Sequence, residues 1–123
     1  MKIMESAQNY LETIYMLQRK NGSVRSVDIA HELSYSKPSV SVAMKNFREA
    51  GYVTVDESGE IKLTKKGEEI AISMYERHTL IAKALMAIGV SEETAYTDSC
   101  KIEHHISDES FDRIKDFINK KLK

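Results

Sequence analysis

Between Ala71 and Ile88, the residues Ala71, Met74, His78, Ile81, Leu85 and Ile88 fall at steps of 3, 4, 3, 4 and 3. Only an α-helix gathers that spacing into one stripe. The pattern predicts a long helix from a Thr64 cap to about Ile88, with Gly89 as its stop. His78 is then the polar member of an apolar seam. A histidine in such a place is more often a core residue with one hydrogen-bond partner than a ligand, and the rest of the chain has to decide between the two.

The same periodicity recurs on both sides. Ala7, Tyr10, Leu11, Ile14 and Leu17 predict an amphipathic helix over about residues 5 to 20, stopping near Gly22. Ser26 is the expected cap of a short second helix with Val27, Ile29, Ala30 and Leu33 on its apolar side, and Ser34-Tyr35 turns the chain. Ser36 caps a third helix with Pro38 in its first turn, where a missing N–H costs nothing, and Val40, Met44 and Phe47 lead to Gly51. Tyr52 to Val55 and Ile61 to Leu63 read as strands joined by the glycine-containing loop Asp56 to Glu60. Beyond the long helix, Ser91 with Glu92 and Glu93 opens a helix expected to run through the Cys100-to-His105 segment. Ser107 with Asp108 and Glu109 opens the last, with Phe111, Ile114, Phe117 and Ile118 as its apolar positions.

The order helix, helix, tight turn, helix, hairpin is that of a winged helix-turn-helix. The third helix would be the reader. Ser36, Lys37, Pro38, Ser39, Ser41, Val42 and Lys45 offer small groups and cations where such a helix meets base edges and phosphates, and Lys62, Lys65 and Lys66 could reach the flanking backbone from the wing. Taken singly, each serine or lysine would as readily solvate an exposed helix; the combination with a hairpin favours DNA. Charge agrees. The formal net charge is −1, which argues against an unstructured basic binder, yet residues 1 to 52 carry seven Lys/Arg against five Asp/Glu, and residues 53 to 123 carry eleven against fourteen.

Length and cysteine usage bound the setting. The 123 residues suit one domain, or a small DNA-binding unit with an accessory helical one. A single cysteine cannot make an intramolecular disulfide, no signal-peptide pattern opens the chain, and no apolar run approaches the ~20 residues of a membrane span. A soluble cytoplasmic protein, without a membrane partner, is expected.

Cys100, Glu103 and His104 carry the chemistry. On one helical turn they would present a thiolate, a carboxylate and an imidazole together, a ligand mix that suits a first-row transition metal ion rather than calcium or magnesium. Ligands from other elements would be needed to link such a site to conformation. Asn9 and Glu12 on the first helix, and His78, are the candidates. A Cys100–His104 pair could also be imagined as nucleophile and base, but no oxyanion-hole loop or orienting partner accompanies it, so an enzyme is not expected.

The segments Asn9 to Leu17, Ser39-Val40-Ser41, Leu63 to Gly67, Arg77-His78 and Cys100 to His105 resemble the diphtheria toxin repressor and manganese transport regulator family of metal-dependent bacterial repressors. The resemblance covers nearly the whole chain. It implies a mainly α fold: a winged helix-turn-helix DNA-binding domain over residues 1 to 63, then a helical metal-binding and dimerisation domain over residues 64 to 123. It implies a homodimer on a pseudo-palindromic double-stranded DNA operator, repressing metal-uptake genes, and no SH3-like domain after the last helix. The implied ligands are Glu12, His78, Cys100, Glu103 and His104, with Asn9 where manganese members have Asp and iron members have Met. Glu12 is a manganese-type feature and Cys100 an iron-type one. Because a thiolate favours softer ions, iron(II) is expected over manganese(II). One ion, or two bridged by Glu12 and Glu103 with Asn9 and His78 on one and Cys100 and His104 on the other, both stay open. His105 is expected on another face, His31 as structural or exposed. Val42 stands where iron-type members commonly have a polar side chain, so the operator need not be theirs. The rival is a winged-helix regulator that ignores metal and answers to a small ligand or to oxidation at Cys100.

Overall fold

The computed structural model describes residues 5 to 121 and holds α1 (Glu5–Asn21), α2 (Ser26–Leu33), α3 (Lys37–Glu49), β1 (Val53–Val55), β2 (Ile61–Leu63), α4 (Lys65–Ala87), α5 (Glu92–Ile102) and α6 (Asp108–Lys121). The fold is mainly helical, with one small antiparallel sheet. The chain divides inside α4, into a unit ending at Ile72 and a second starting at Ser73.

The first unit is a winged helix-turn-helix. Leu11 and Ile14 of α1, Ile29 of α2, Val40 of α3, Val53 and Ile61 of the strands, and Val24 before α2 are each at most 1% exposed and share one core. Burying a side chain of this size contributes about 1.5–3 kcal/mol, which is why the apolar stripes fix the packing. Tyr10 lies edge-on to both Tyr35 (5.5 Å) and Phe47 (5.4 Å), joining α1 to the residues that flank α3's N-terminus and to α3 itself. The turn between α2 and α3 is set by Ser34, the one non-glycine residue with positive φ among those described, at 59°. Its left-handed conformation closes α2, and the N–H of Ser34 returns to the Ala30 carbonyl.

The cap of α2 differs from expectation. Ser26 is already helical; Arg25 is the capping position, and its backbone N–H donates to Asp28 Oδ2 at 2.9 Å. The carboxylate three residues on thus closes the helix start by accepting from the capping residue's own N–H, in place of a serine hydroxyl at the cap. At α3 the expectation holds: Ser36 Oγ accepts from the Ser39 N–H at 3.3 Å, with Pro38 in the first turn.

In the wing, Val53 pairs with Leu63, Thr54 with Lys62 and Val55 with Ile61. Val53 and Ile61 face the core while Thr54 and Lys62 are exposed, the two-residue alternation of a half-buried sheet. Asp56 shapes the loop: its Oδ1 accepts from the Ser58 N–H, the Ser58 hydroxyl and the Glu60 N–H at 2.9, 2.7 and 2.9 Å. Thr64 Oγ1 accepts from the Gly67 N–H at 3.2 Å and so caps α4. Gly67 lies against the Tyr52 carbonyl so closely that any Cβ there would collide with it.

The second unit consists of the rest of α4 with α5 and α6. Met74, Ile81, Ala82, Ala95, Phe111 and Ile118 are its buried apolar residues, and His78, Ser99, Glu103 and His104 are buried with them. The long helix ends at Ala87, with Gly89 at φ 106° and the Val90 N–H returning to the Leu85 carbonyl at 3.0 Å.

Candidate metal centre and DNA-reading surface

His78 is brought to α5 by the heptad-like stripe of α4 that buries Met74 and Ile81 on either side of it. Its Nδ1 lies 3.5 Å from Cys100 Sγ, 3.6 Å from Glu103 Oε2 and 3.1 Å from Ser99 Oγ. Tyr96 adds a ring 5.3 Å from the imidazole. On the far side of the carboxylate, Glu103 Oε1 lies 3.4 Å from His104 Nε2. Glu103 is 1% exposed and His104 is also buried, while Cys100 is at the surface.

Glu103 and His104 are not on the helix. α5 ends at Ile102, and the next residues form a turn in which the His105 and Ile106 N–H groups both return to the Ile102 carbonyl, each at 3.0 Å. The expected helical run through His105 is therefore cut short. The backbone at Glu103 is still near helical, φ −58° and ψ −28°, so the carboxylate stays beside Cys100 even though the helix has stopped. His105 is exposed, as is His31.

Donor atoms of His78, Cys100 and Glu103 all lie within 4.8 Å of one another. Around an ion held at 2.0–2.3 Å by nitrogen, oxygen and sulfur, neighbouring ligands sit roughly 3.3–3.7 Å apart. The observed 3.5 and 3.6 Å separations suit that arrangement. Burial, and then the neighbouring His104, hold the His78 pKa below its ordinary 6.5. The imidazole is thus neutral near pH 7, the form in which it can donate a lone pair to a metal. Among residues that drew no attention in the sequence, Ser99 stands out. Its hydroxyl donates to the Tyr96 carbonyl at 3.0 Å and lies 3.1 Å from His78 Nδ1. The signal was the Ala95/Ser99 spacing on the buried side of α5.

Asn9 and Glu12 belong to α1, in the first unit; Glu12 is 5% exposed and Asn9 half-buried.

Of the residues expected to read DNA, Ser36 at the cap of α3, Lys37, Pro38, Ser39, Ser41, Val42 and Lys45 of α3, and Lys62 of β2 are all exposed. The Ser36 hydroxyl donates to Ser39 Oγ at 2.8 Å, so these two serines also brace the helix start. Lys66 was expected to reach outward. Instead its Nζ donates to the Ala50 carbonyl at 3.2 Å and lies 4.4 Å from the Tyr52 ring centroid, fastening α4 to the residues before the wing. Arg25 was missed as a wing residue; its guanidinium donates to the Ser58 carbonyl in the hairpin loop.

A winged helix-turn-helix followed by a buried imidazole and carboxylate with a surface thiol beside them is the arrangement of a metal-responsive DNA-binding regulator. The chain belongs to the iron dependent repressor family. Residues 2–60 match the family model "Iron dependent repressor, N-terminal DNA binding domain" and residues 64–121 match "Iron dependent repressor, metal binding and dimerisation domain". It is 37% identical over 113 residues to the HTH-type transcriptional regulator MntR of Lysinibacillus sphaericus (strain C3-41), covering 92% of this chain and 81% of that protein. Among solved structures it is similar to the manganese regulator SloR (TM-score 0.79, 31% identity, 92% of this chain and 53% of that one). It is also similar to a manganese-dependent transcriptional repressor in complex with manganese (TM-score 0.83, 27% identity, 92% and 52%). The chain thus spans about half the length of those two structures. It is a metal-dependent, DNA-binding transcriptional regulator, and the family is one of regulators rather than enzymes. No helix among the described residues is long and apolar enough to cross a membrane.

Proposed function

We propose that the protein is a homodimeric repressor of metal-uptake genes, working in the cytoplasm on a pseudo-palindromic operator, with a divalent transition metal ion as co-repressor. The observation that carries this reading is the meeting of His78, Cys100 and Glu103 donor atoms within 4.8 Å. His104 is the fourth ligand of the second unit, and Glu12 with Asn9 are the ligands contributed by the first helix. Ser36, Lys37, Pro38, Ser39, Ser41, Val42, Lys45 and Lys62 form the DNA-reading surface, with residues 1 to 63 as the DNA-binding domain and residues 64 to 123 as the metal-binding and dimerisation domain.

The bound ion supplies positive charge among Glu12, Glu103 and the Cys100 thiolate. His78 would offer a neutral nitrogen, and the carboxylates and thiolate would offer charge. Two reading helices held at a fixed separation of about one DNA turn, ~34 Å, bind a palindrome better than two free ones. A coupling of about 1–3 kcal/mol is enough for a 5- to 150-fold change in operator affinity.

Manganese(II) is the ion the relatives' names favour. One observation favours a second reading with iron(II): the Cys100 thiol 3.5 Å from His78 Nδ1, a softer donor than a carboxylate. The test is operator binding measured anaerobically with chelator, manganese(II) or iron(II), for wild type and Cys100→Ser. Metal-independent binding would overturn the proposal. Iron(II) preference that Cys100→Ser abolishes would support the iron reading; equal behaviour of both proteins with manganese(II) alone active would reject it.

A further inference from the structure

Arg77 precedes His78 on α4 and binds the turn that carries Glu103 and His104. Its guanidinium donates to the Ile106 carbonyl at 2.9 Å and to the Glu103 carbonyl at 3.3 Å, and pairs with the Asp108 carboxylate at the start of α6. The same group lies 5.2 Å from the ring centroid of buried Phe111. The Arg77 side chain is 12% exposed, whereas that of Asp108 is 91% exposed. The exposed ion pair is therefore the weaker part of the grip, and the two carbonyl bonds are the stronger.

The turn needs such a grip. Residues 103 to 107 contain neither proline nor glycine to fix their path, and the last carbonyls of a helix lack partners of their own. Nη1 of Arg77 meets both carbonyls, on either side of His104, while Nη2 of the same rigid planar group turns to Asp108, a division of donors that a lysine ammonium cannot reproduce. With the Glu103 backbone held, its carboxylate stays 3.6 Å from His78 Nδ1.

We infer that Arg77 is a positioning residue of the metal centre: by clamping the Glu103-to-Ile106 turn to α4 it sets Glu103 and His104 in place before metal arrives. The inference rests on the proposal that this cluster binds metal. A ligand held in advance loses less conformational freedom on binding, so releasing the clamp lowers affinity without removing a ligand.

The experiment titrates cobalt(II) into the full chain anaerobically for wild type, Arg77→Met, Arg77→Lys, Asp108→Asn and Cys100→Ser. It follows ligand-field absorption and the thiolate-to-cobalt charge-transfer band, with thermal melts of each metal-free protein. Arg77→Met is expected to keep the Cys100 band but bind cobalt(II) about 10- to 100-fold more weakly, the usual effect of losing a group that supports a ligand. Arg77→Lys should fall between, and Asp108→Asn close to wild type. A purely structural role would lower the melting temperature and leave cobalt affinity and spectrum unchanged; that result overturns the inference. If Arg77→Met does not fold, wild-type affinity in Arg77→Lys overturns it instead. Absence of the thiolate-to-cobalt band from cobalt-treated wild type, whose one cysteine is Cys100, would sink the metal assignment itself, a failure distinct from that of Arg77.

Discussion

Nδ1 of His78 lies 3.6 Å from Oε2 of Glu103, and the two side chains are 10% and 1% exposed. Burial holds the imidazole pKa down, so His78 offers the carboxylate a neutral nitrogen rather than a cation. Glu103→Gln keeps the size of the side chain and removes the charge. Metal-dependent operator binding should be lost, with metal affinity down at least tenfold, since even a supporting residue costs that much. The metal-free protein should remain folded. Circular dichroism with a gel shift in the presence and absence of metal checks both; an unchanged metal response would sink the ligand role.

A second prediction concerns Gly67, in the first turn of α4. A Cβ there would meet the Tyr52 carbonyl, a backbone atom that cannot swing aside, so Gly67→Ala should destabilise the first unit by about 1–3 kcal/mol despite alanine's better helix propensity. Urea unfolding measures this directly. A gain in stability would mean that the helix start does not pack on the residues before the wing.

Elements whose boundaries are set by local chemistry were legible in the sequence. Ser36, Thr64 and Ser91 cap the helices they were expected to cap, and the hairpin falls where Gly59 allows its loop. The end of α5 was not legible: no glycine or proline marks Ile102, and the turn after it is held by Arg77 from another helix. Lys66 misled for a similar reason, because its partners, the Ala50 carbonyl and the Tyr52 ring, are brought near only by the fold. At the candidate site, the residue types and the resemblance named the candidate ligands. That His78 meets Cys100 and Glu103 depends on how α4 packs against α5, which no spacing within either helix encodes.

The wing should carry a pH signature. The Ser58 hydroxyl, followed by the Glu60 N–H, holds the Asp56 carboxyl below its ordinary 3.8. A pKa lower in the folded than in the unfolded chain gives stability that is complete above the unfolded value and is lost as pH falls through the folded one. The urea midpoint of wild type should therefore exceed that of Asp56→Asn by a constant amount from pH 7 to about 5, with the gap closing below about 4. A gap that does not change with pH would mean that the carboxylate charge plays no part in the loop.

The last prediction is for α3, the proposed reading helix, where Val42 is 61% exposed beside Ser41 and one turn before Lys45. An exposed β-branched side chain gains nothing from water, but in a major groove it can pack on the methyl group of thymine, and it offers no donor or acceptor to any other base edge. Selection of operators from random DNA should then give thymine opposite Val42. Val42→Gln should move the preference toward adenine, whose N6 and N7 a carboxamide reads in two hydrogen bonds, with about 1–3 kcal/mol of discrimination. Lys45→Ala should behave differently: weaker binding to every sequence, and a salt dependence shallower by about 0.9 for each phosphate that the lysine no longer neutralises. If Val42→Gln selects the same operators as wild type, Val42 does not face a base, and sequence choice rests on Ser39, Ser41 and the shape of the DNA.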